Sequence, residues 1–139
     1  MEKKSCLSFG EIEERLKEAG VSPTAQRIAI CRYVLCEASH PTAEHVKKWV
    51  DGHFPKMSMA TVYNTLGILV KAGLLKEIRL PHLDSAVYDQ NVQRHFHFVD
   101  ERTGAISDIH ESRLTLSHDL DRDFRINEIE VVVRGRRQK

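Results

Sequence analysis

The chain has no long apolar run: none of its segments approaches the roughly 18 consecutive apolar residues of a membrane span. Its first residues, MEKKSCLSFGEIEE, contain no apolar signal core, so no export is expected and a cytoplasmic location with no membrane partner is. Cysteine is scarce. Cys6, Cys31 and Cys36 make no CxxC and no paired framework. An odd count in an unexported chain is expected as reduced thiols. Cys31 lies in an apolar helical stretch and reads as core filler, because a free cysteine packs as a small hydrophobe. Charge of either sign is not in excess, since the net charge is only +1. Charge alone therefore does not establish nucleic-acid binding.

With 139 residues, 41% hydrophobic and 29% charged, the chain is globular rather than disordered, and it fits one domain of ordinary size or two small ones. The charge is unevenly placed. Residues 1–80 hold 12 Lys/Arg against 9 Asp/Glu, and residues 81–139 hold 9 against 11. A mildly basic first half and an acidic second half point to two jobs.

The first half is helical by pattern. SFGEIEERLKEAG opens with Ser8 and Glu11 at capping-box spacing and closes at Gly20, with Ile12, Leu16 and Ala19 as its apolar stripe. A second helix follows Thr24, with Ile28, Cys31 and Leu35 on one side, and a third follows Thr42, with Val46, Trp49 and Val50 inward. A fourth is capped by Ser58 and ended by Gly73, with Val62, Leu66, Leu69 and Val70 facing the core. LLKEIRL and SAVYDQN then read as two strands around PHLDS.

Short helices followed by a hairpin predict a winged helix-turn-helix, whose last helix enters the DNA major groove. The exposed side of the fourth helix is expected to offer Thr61, Tyr63, Asn64 and Thr65 to base edges or phosphates. Arg27, Lys47, Lys48, Lys56, Lys71 and Arg79 surround it in sequence as phosphate contacts, with Arg27 and Lys56 the leading two. A solvated helical face has the same composition, so both readings stand on pattern alone.

RHFHFVDERTGAISDI, residues 94–109, carries a different chemistry. Residues two apart on a strand share a face, so His95 and His97 point one way and Phe96 and Phe98 the other. ERTG reads as a turn, and the returning strand brings Asp108 toward the imidazoles. Two imidazoles and a carboxylate suit a borderline or hard divalent metal. An ordinary half-exposed hairpin with one polar face gives the same pattern. The other histidines, His45, His53, His82, His110 and His118, read as helix-surface, turn or exposed positions, the last two near a final helix.

AGVSPTAQRIAI, HPTAEHV, MSMATVYNTLGILVKAGLLKEI, VYDQNVQRHFHFVD and TGAISDI, in that order over about residues 10–110, together resemble the ferric uptake regulator (Fur) superfamily. SMATVYNTL followed by AGLL is the most specific part. The resemblance implies an α+β protein with an N-terminal winged helix-turn-helix DNA-binding domain (residues 1–84), a hinge (85–92) and a C-terminal α/β dimerisation domain (93–139). It implies no enzyme but a metal-dependent, homodimeric regulator of transcription, a repressor, bound to a double-stranded DNA operator. The family's regulatory metal site falls on His40, Asp89, His95, His97 and Asp108. Three nitrogens and two carboxylates without sulfur suit Fe(II) or Mn(II), with Zn(II) a competitor on affinity. Asp89 six residues before His95, together with Asp108, looks like the peroxide-sensing PerR branch, which implies peroxide oxidation at His40 and His95.

Two departures matter. Asp100 and Thr103 stand where most members carry the first of two CxxC pairs, and the tail VVVRGRRQK has no cysteine, so a structural zinc held by four thiolates is excluded. NEIEVVVRGRR reads instead as a strand able to extend the sheet. In this the chain resembles the iron- and haem-responsive Irr branch, although no Cys-Pro haem motif is present; iron or haem response is the alternative to peroxide. The family's second histidine-rich site is not matched, since Arg94 and Phe96 stand where it would need ligands. A more distant class is a small non-haem iron enzyme, in which HxH and a carboxylate form a facial triad on a barrel of many strands.

Overall fold

Ser8 opens the first helix by accepting the Glu11 N–H, while the Glu11 carboxylate accepts the Ser8 N–H, so the expected capping box is complete. In the computed structural model of the protein, residues 6–54 and 56–138 are described. Helix α1 spans Phe9–Glu18, α2 Ala25–Arg32, α3 Ala43–Asp51 and α4 Met59–Lys71. Thr24, Thr42 and Ser58 cap the last three, each side chain accepting a backbone N–H from the first turn. Gly73 follows α4 at φ 79, the left-handed region where a side chain would be strained. α2 runs on as a single π-helical turn, Tyr33–Glu37. Strands β1 (Lys76–Ile78) and β2 (Val87–Asp89) pair antiparallel as the wing.

The chain divides into two compact units between Val92 and Gln93. The first has one core, built from Ile12, Leu16, Ile28, Ile30, Cys31, Val34, Val46, Val50, Val62, Leu66 and Leu69 with further residues of the same unit. Burying a side chain of this size is worth about 1.5–3 kcal/mol. Cys31 is filler as expected, and burial pushes its thiol up to about 11. Ala19 is not in the stripe: it caps the C-terminus of α1 and is exposed. Trp49 is half-buried between the Tyr33 ring at 4.6 Å and the His53 ring at 4.2 Å, both stacked on it.

The reduced-thiol expectation is corrected for two cysteines. Cys6 and Cys36 are joined by a disulfide, with their Cα atoms 5.2 Å apart. Their sequence separation is 30, and α1 packs against α2 between them.

The second unit is a three-stranded sheet in the order β4-β3-β5, from β3 (His95–Asp100), β4 (Ile106–His110) and β5 (Val132–Gly135). β3 pairs antiparallel with β4, and β5 adds parallel to β3 on its other side, as the tail pattern predicts. Asp100 closes the β3–β4 turn where the first CxxC would stand. Its Oδ1 accepts from the Arg102 N–H at 2.9 Å and the Thr103 N–H at 3.4 Å. The tail is tied to the same corner by Glu101 N–H donating to Gly135 O at 2.8 Å and by Arg137 donating to the Ser107 hydroxyl.

A helix was expected near His110 and His118. Between β4 and β5 the described residues form only two 3-10 turns, Glu111–Arg113 and Leu120–Arg122. Leu116, Leu120 and Phe124 repeat at helical spacing but are 46%, 44% and 62% exposed. Most helical stability comes from packing an apolar face, and these three side chains are left exposed within the chain.

Candidate metal centre and DNA-facing helix

Each unit holds its own imidazole–carboxylate group. In the first, Tyr88 N–H donates to Pro41 O at 2.9 Å and Thr42 bridges to Val87, which straps the HPTA segment along β2. His40, at φ 49, is thereby turned so that its Nε2 lies 3.3 Å from Asp89 Oδ2. A non-glycine residue in this region is uncommon and marks a position held by its surroundings. Asp89 Oδ1 accepts the Asn91 N–H at 2.9 Å, and both side chains of the pair are largely buried.

In the second unit the strand register does the positioning. His97 sits opposite Asp108, and His95 opposite His110. Asp108 Oδ1 lies 3.3 Å from His95 Nε2 and 3.5 Å from His97 Nε2. The two imidazoles pack edge to face with centroids 4.6 Å apart. His95 Nδ1 is 2.7 Å from Gln93 O, and a carbonyl can only accept. Nδ1 therefore carries the proton and the Nε2 lone pair is presented on the Asp108 side, the arrangement that fixes a metal-binding imidazole. Phe96, on the other face, is 2% exposed and anchors the strand.

All five residues named from sequence thus sit in these two groups. Their donors are nitrogen and oxygen only, with imidazole Nε2 atoms aimed at carboxylates, which fits a hard or borderline divalent cation and not a thiophilic one.

On α4, Tyr63 and Asn64 are exposed and Thr61 is half-buried, its hydroxyl 3.0 Å from that of Ser58. Thr65 is a correction. It is 2% exposed, and its hydroxyl donates to Thr61 O at 2.8 Å, so it belongs to the core side of the helix. The helical period puts it one turn from Thr61, and its small side chain with a satisfied hydroxyl packs where a larger polar residue would not. Lys56 is exposed. Arg27 is half-buried, its guanidinium donating to Ser22 O at 3.1 Å. Lys47 pairs with Asp51 and Arg79 with Glu77.

The sequence reading missed Glu44. Its Oε1 accepts the Tyr63 hydroxyl at 3.0 Å. The backbone N–H of Glu44 itself and then the Tyr63 hydroxyl hold its carboxyl below the ordinary value, and the same bond pushes the Tyr63 phenol up. The partners are 19 residues apart, and no local pattern links them.

Four of the five remaining histidines have local roles. His45 completes the α3 capping box, His53 Nδ1 lies 2.9 Å from Trp49 O, His110 Nδ1 lies 2.7 Å from Ser112 Oγ, and His118 Nδ1 accepts the Leu120 N–H.

The chain is 42% identical over 100 residues to the peroxide operon regulator of Bacillus subtilis (strain 168), covering 72% of this chain and 68% of that protein. It also matches a solved structure of PerR from Streptococcus pyogenes, described as the basis for peroxide sensing and gene regulation, with a TM-score of 0.56, 26% identity and coverage of 98% and 95%. The ferric uptake regulator of Pseudomonas aeruginosa with manganese shares the fold at a TM-score of 0.67 and 24% identity, over 91% of this chain and 98% of that one. Residues 18–133 match the ferric uptake regulator family, and the chain belongs to that family.

Proposed function

We propose that the protein is a peroxide-responsive, metal-dependent repressor that binds operator DNA as a homodimer. The observation that carries this is the pair of imidazole–carboxylate groups, one in each unit, at the five positions that the family resemblance assigns to one regulatory metal. His40 and Asp89 of the first unit, and His95, His97 and Asp108 of the second, would share one Fe(II) or Mn(II) ion. Residues 85–92 then act as the hinge, and residues 93–139 as the dimerisation part. Sharing an ion favours the arrangement of the units in which all five donors reach it, by no more than the difference in metal affinity between arrangements. Likeness to proteins named for peroxide response, one of them 42% identical, favours this signal over iron or haem.

Bound Fe(II) would supply electrons to hydrogen peroxide beside its own ligands. His40 and His95 are the imidazoles assigned as the oxidised residues. An oxidised imidazole is a poorer donor, so the two units lose their shared link and the operator is released. α4 carries the base contacts through Tyr63 and Asn64, with Thr61, Arg27 and Lys56 at phosphates. Leu116, Leu120 and Phe124 are exposed apolar side chains that a second copy would cover. The non-haem enzyme class loses its frame: the described residues hold five strands in two separate sheets and no barrel.

The test is a gel shift of the Fe(II) and Mn(II) forms before and after peroxide, with mass spectrometry of the tryptic peptides. Release of DNA from the Fe(II) form alone, with one added oxygen on His40 or His95, is expected. Release without oxygen on any histidine, or no release, overturns the peroxide reading.

A further inference from the structure

The Cys6–Cys36 disulfide lies in the helical unit, and neither cysteine is among the residues assigned to metal or DNA. Cys6 stands two residues before the Ser8 cap of α1, and Cys36 sits in the π-helical turn that ends α2. Cys6 is exposed and Cys36 half-buried, whereas the third cysteine, Cys31, is fully buried with its thiol pushed up to about 11. Reaction with oxidants follows thiolate character and access, so Cys31 is inert while the other two are open to reaction. A DNA-binding regulator works where the cellular thiol pool is reducing, and a disulfide there is characteristically transient. In that respect the inference rests on the DNA-binding reading above.

We propose that Cys6 and Cys36 form a reversible dithiol–disulfide couple oxidised by hydroperoxides, a second oxidation site that needs no metal. The exposed Cys6 thiolate attacks the hydroperoxide O–O bond. The alcohol or water leaves, and Cys6 becomes a sulfenic acid. The Cys36 thiolate then attacks that sulfur, the S–S bond forms, and hydroxide departs to be protonated as water. Two thiols thus give two electrons and two protons, and one hydroperoxide becomes one alcohol and one water. A dithiol reductant reverses the change. The cross-link ties the entry of α1 to a turn four residues ahead of His40, closing a loop between residues 30 apart. Such closure restricts the unfolded chain most of all.

The test uses the full chain, stripped of metal by chelation, reduced with dithiothreitol and then treated with hydrogen peroxide or cumene hydroperoxide. With labelling after denaturation, two of the three thiols should be resistant to maleimide, and a cross-linked Cys6–Cys36 peptide should appear two hydrogens lighter. Dithiothreitol should restore both. Oxidation should raise the melting temperature by roughly 5–10 °C, the effect of a single disulfide on a small domain. Cys6→Ser and Cys36→Ser should each abolish the shift, while Cys31→Ala should lower the melting temperature of both forms and keep the shift between them. Three maleimide-reactive thiols after peroxide, or cross-links only between chains, would overturn the proposal. No DNA is present, so a negative result here is separate from a failure to bind an operator.

Discussion

The Tyr63 hydroxyl on α4 donates to the Glu44 carboxylate on α3 at 3.0 Å, joining the exposed face of α4 to its neighbour. The bond orients a ring that is otherwise 48% exposed. Tyr63→Ala should therefore lower affinity for the operator by about tenfold or more, the scale of one good base contact. Binding to random duplex should change little. Equal losses on both would mean that Tyr63 touches only the backbone. Tyr63→Phe keeps the ring and should fall between the two.

Phosphate contacts make a separate prediction. Lys56→Ala should weaken operator and random duplex alike and should reduce the slope of log affinity against log salt by about one, since one fewer counterion is released. An unchanged slope in a salt titration would remove Lys56 from the interface.

Metal affinity should depend on both units. Asp108→Ala removes a carboxylate shared by His95 and His97 and should weaken Mn(II) binding by at least ~10–100-fold, the loss that even an outer partner causes. Asp89→Ala should do the same from the other unit. Calorimetry of the two variants separates one shared ion from two independent sites. A shared ion predicts that either substitution removes the metal dependence of DNA binding. If Asp89→Ala leaves Mn(II) affinity untouched, the groups do not serve one metal.

Much of this was legible because it repeats along the chain. Caps at Ser8, Thr24, Thr42 and Ser58 precede apolar stripes, and the strand period with the ERTG turn put His95, His97 and Asp108 together. What was not legible depends on packing between distant segments. The Cys6–Cys36 pair and the Tyr63–Glu44 bond have no local signature. Thr65 was misjudged because a hydroxyl looks polar in sequence, while inside a helix it can be satisfied by its own backbone. The helix expected near His110 and His118 does not form among the described residues, where Leu116, Leu120 and Phe124 stay exposed and the chain alone gives them nothing to pack on.

The Asp100 turn predicts an acid-sensitive corner. Hydrogen bonds from the Arg102 and Thr103 backbone hold its carboxyl below its ordinary value of 3.8. A depressed folded value means that the ionised side chain stabilises the fold fully above the unfolded value, and that this is lost as pH falls through the folded one. Asp100→Asn should be less stable than the parent by a constant amount near neutral pH, and the gap should close below about pH 4. Urea unfolding from pH 3 to 7 reads both. A gap that stays constant to pH 3 would mean that the carboxylate charge adds nothing to this turn.

The same corner bears on assembly. Without thiolates there is no zinc cage whose removal would unfold the second unit. The work falls to backbone pairing of β5 with β3, to the Asp100 turn and to the contact of Arg137 with Ser107. If a homodimer forms, it should be held by apolar burial, and Leu116, Leu120 and Phe124 are the exposed residues available for it. Chelator-treated protein should therefore sediment as a folded dimer, with unchanged far-ultraviolet circular dichroism. Phe124→Asp should dissociate it, because a carboxylate placed in a dry interface is strongly disfavoured. The same change should leave the melting of the first unit as it was. Dissociation on chelation alone would show that metal, not packing, holds the subunits. A Phe124→Asp protein that remains dimeric would place the interface elsewhere on the second unit.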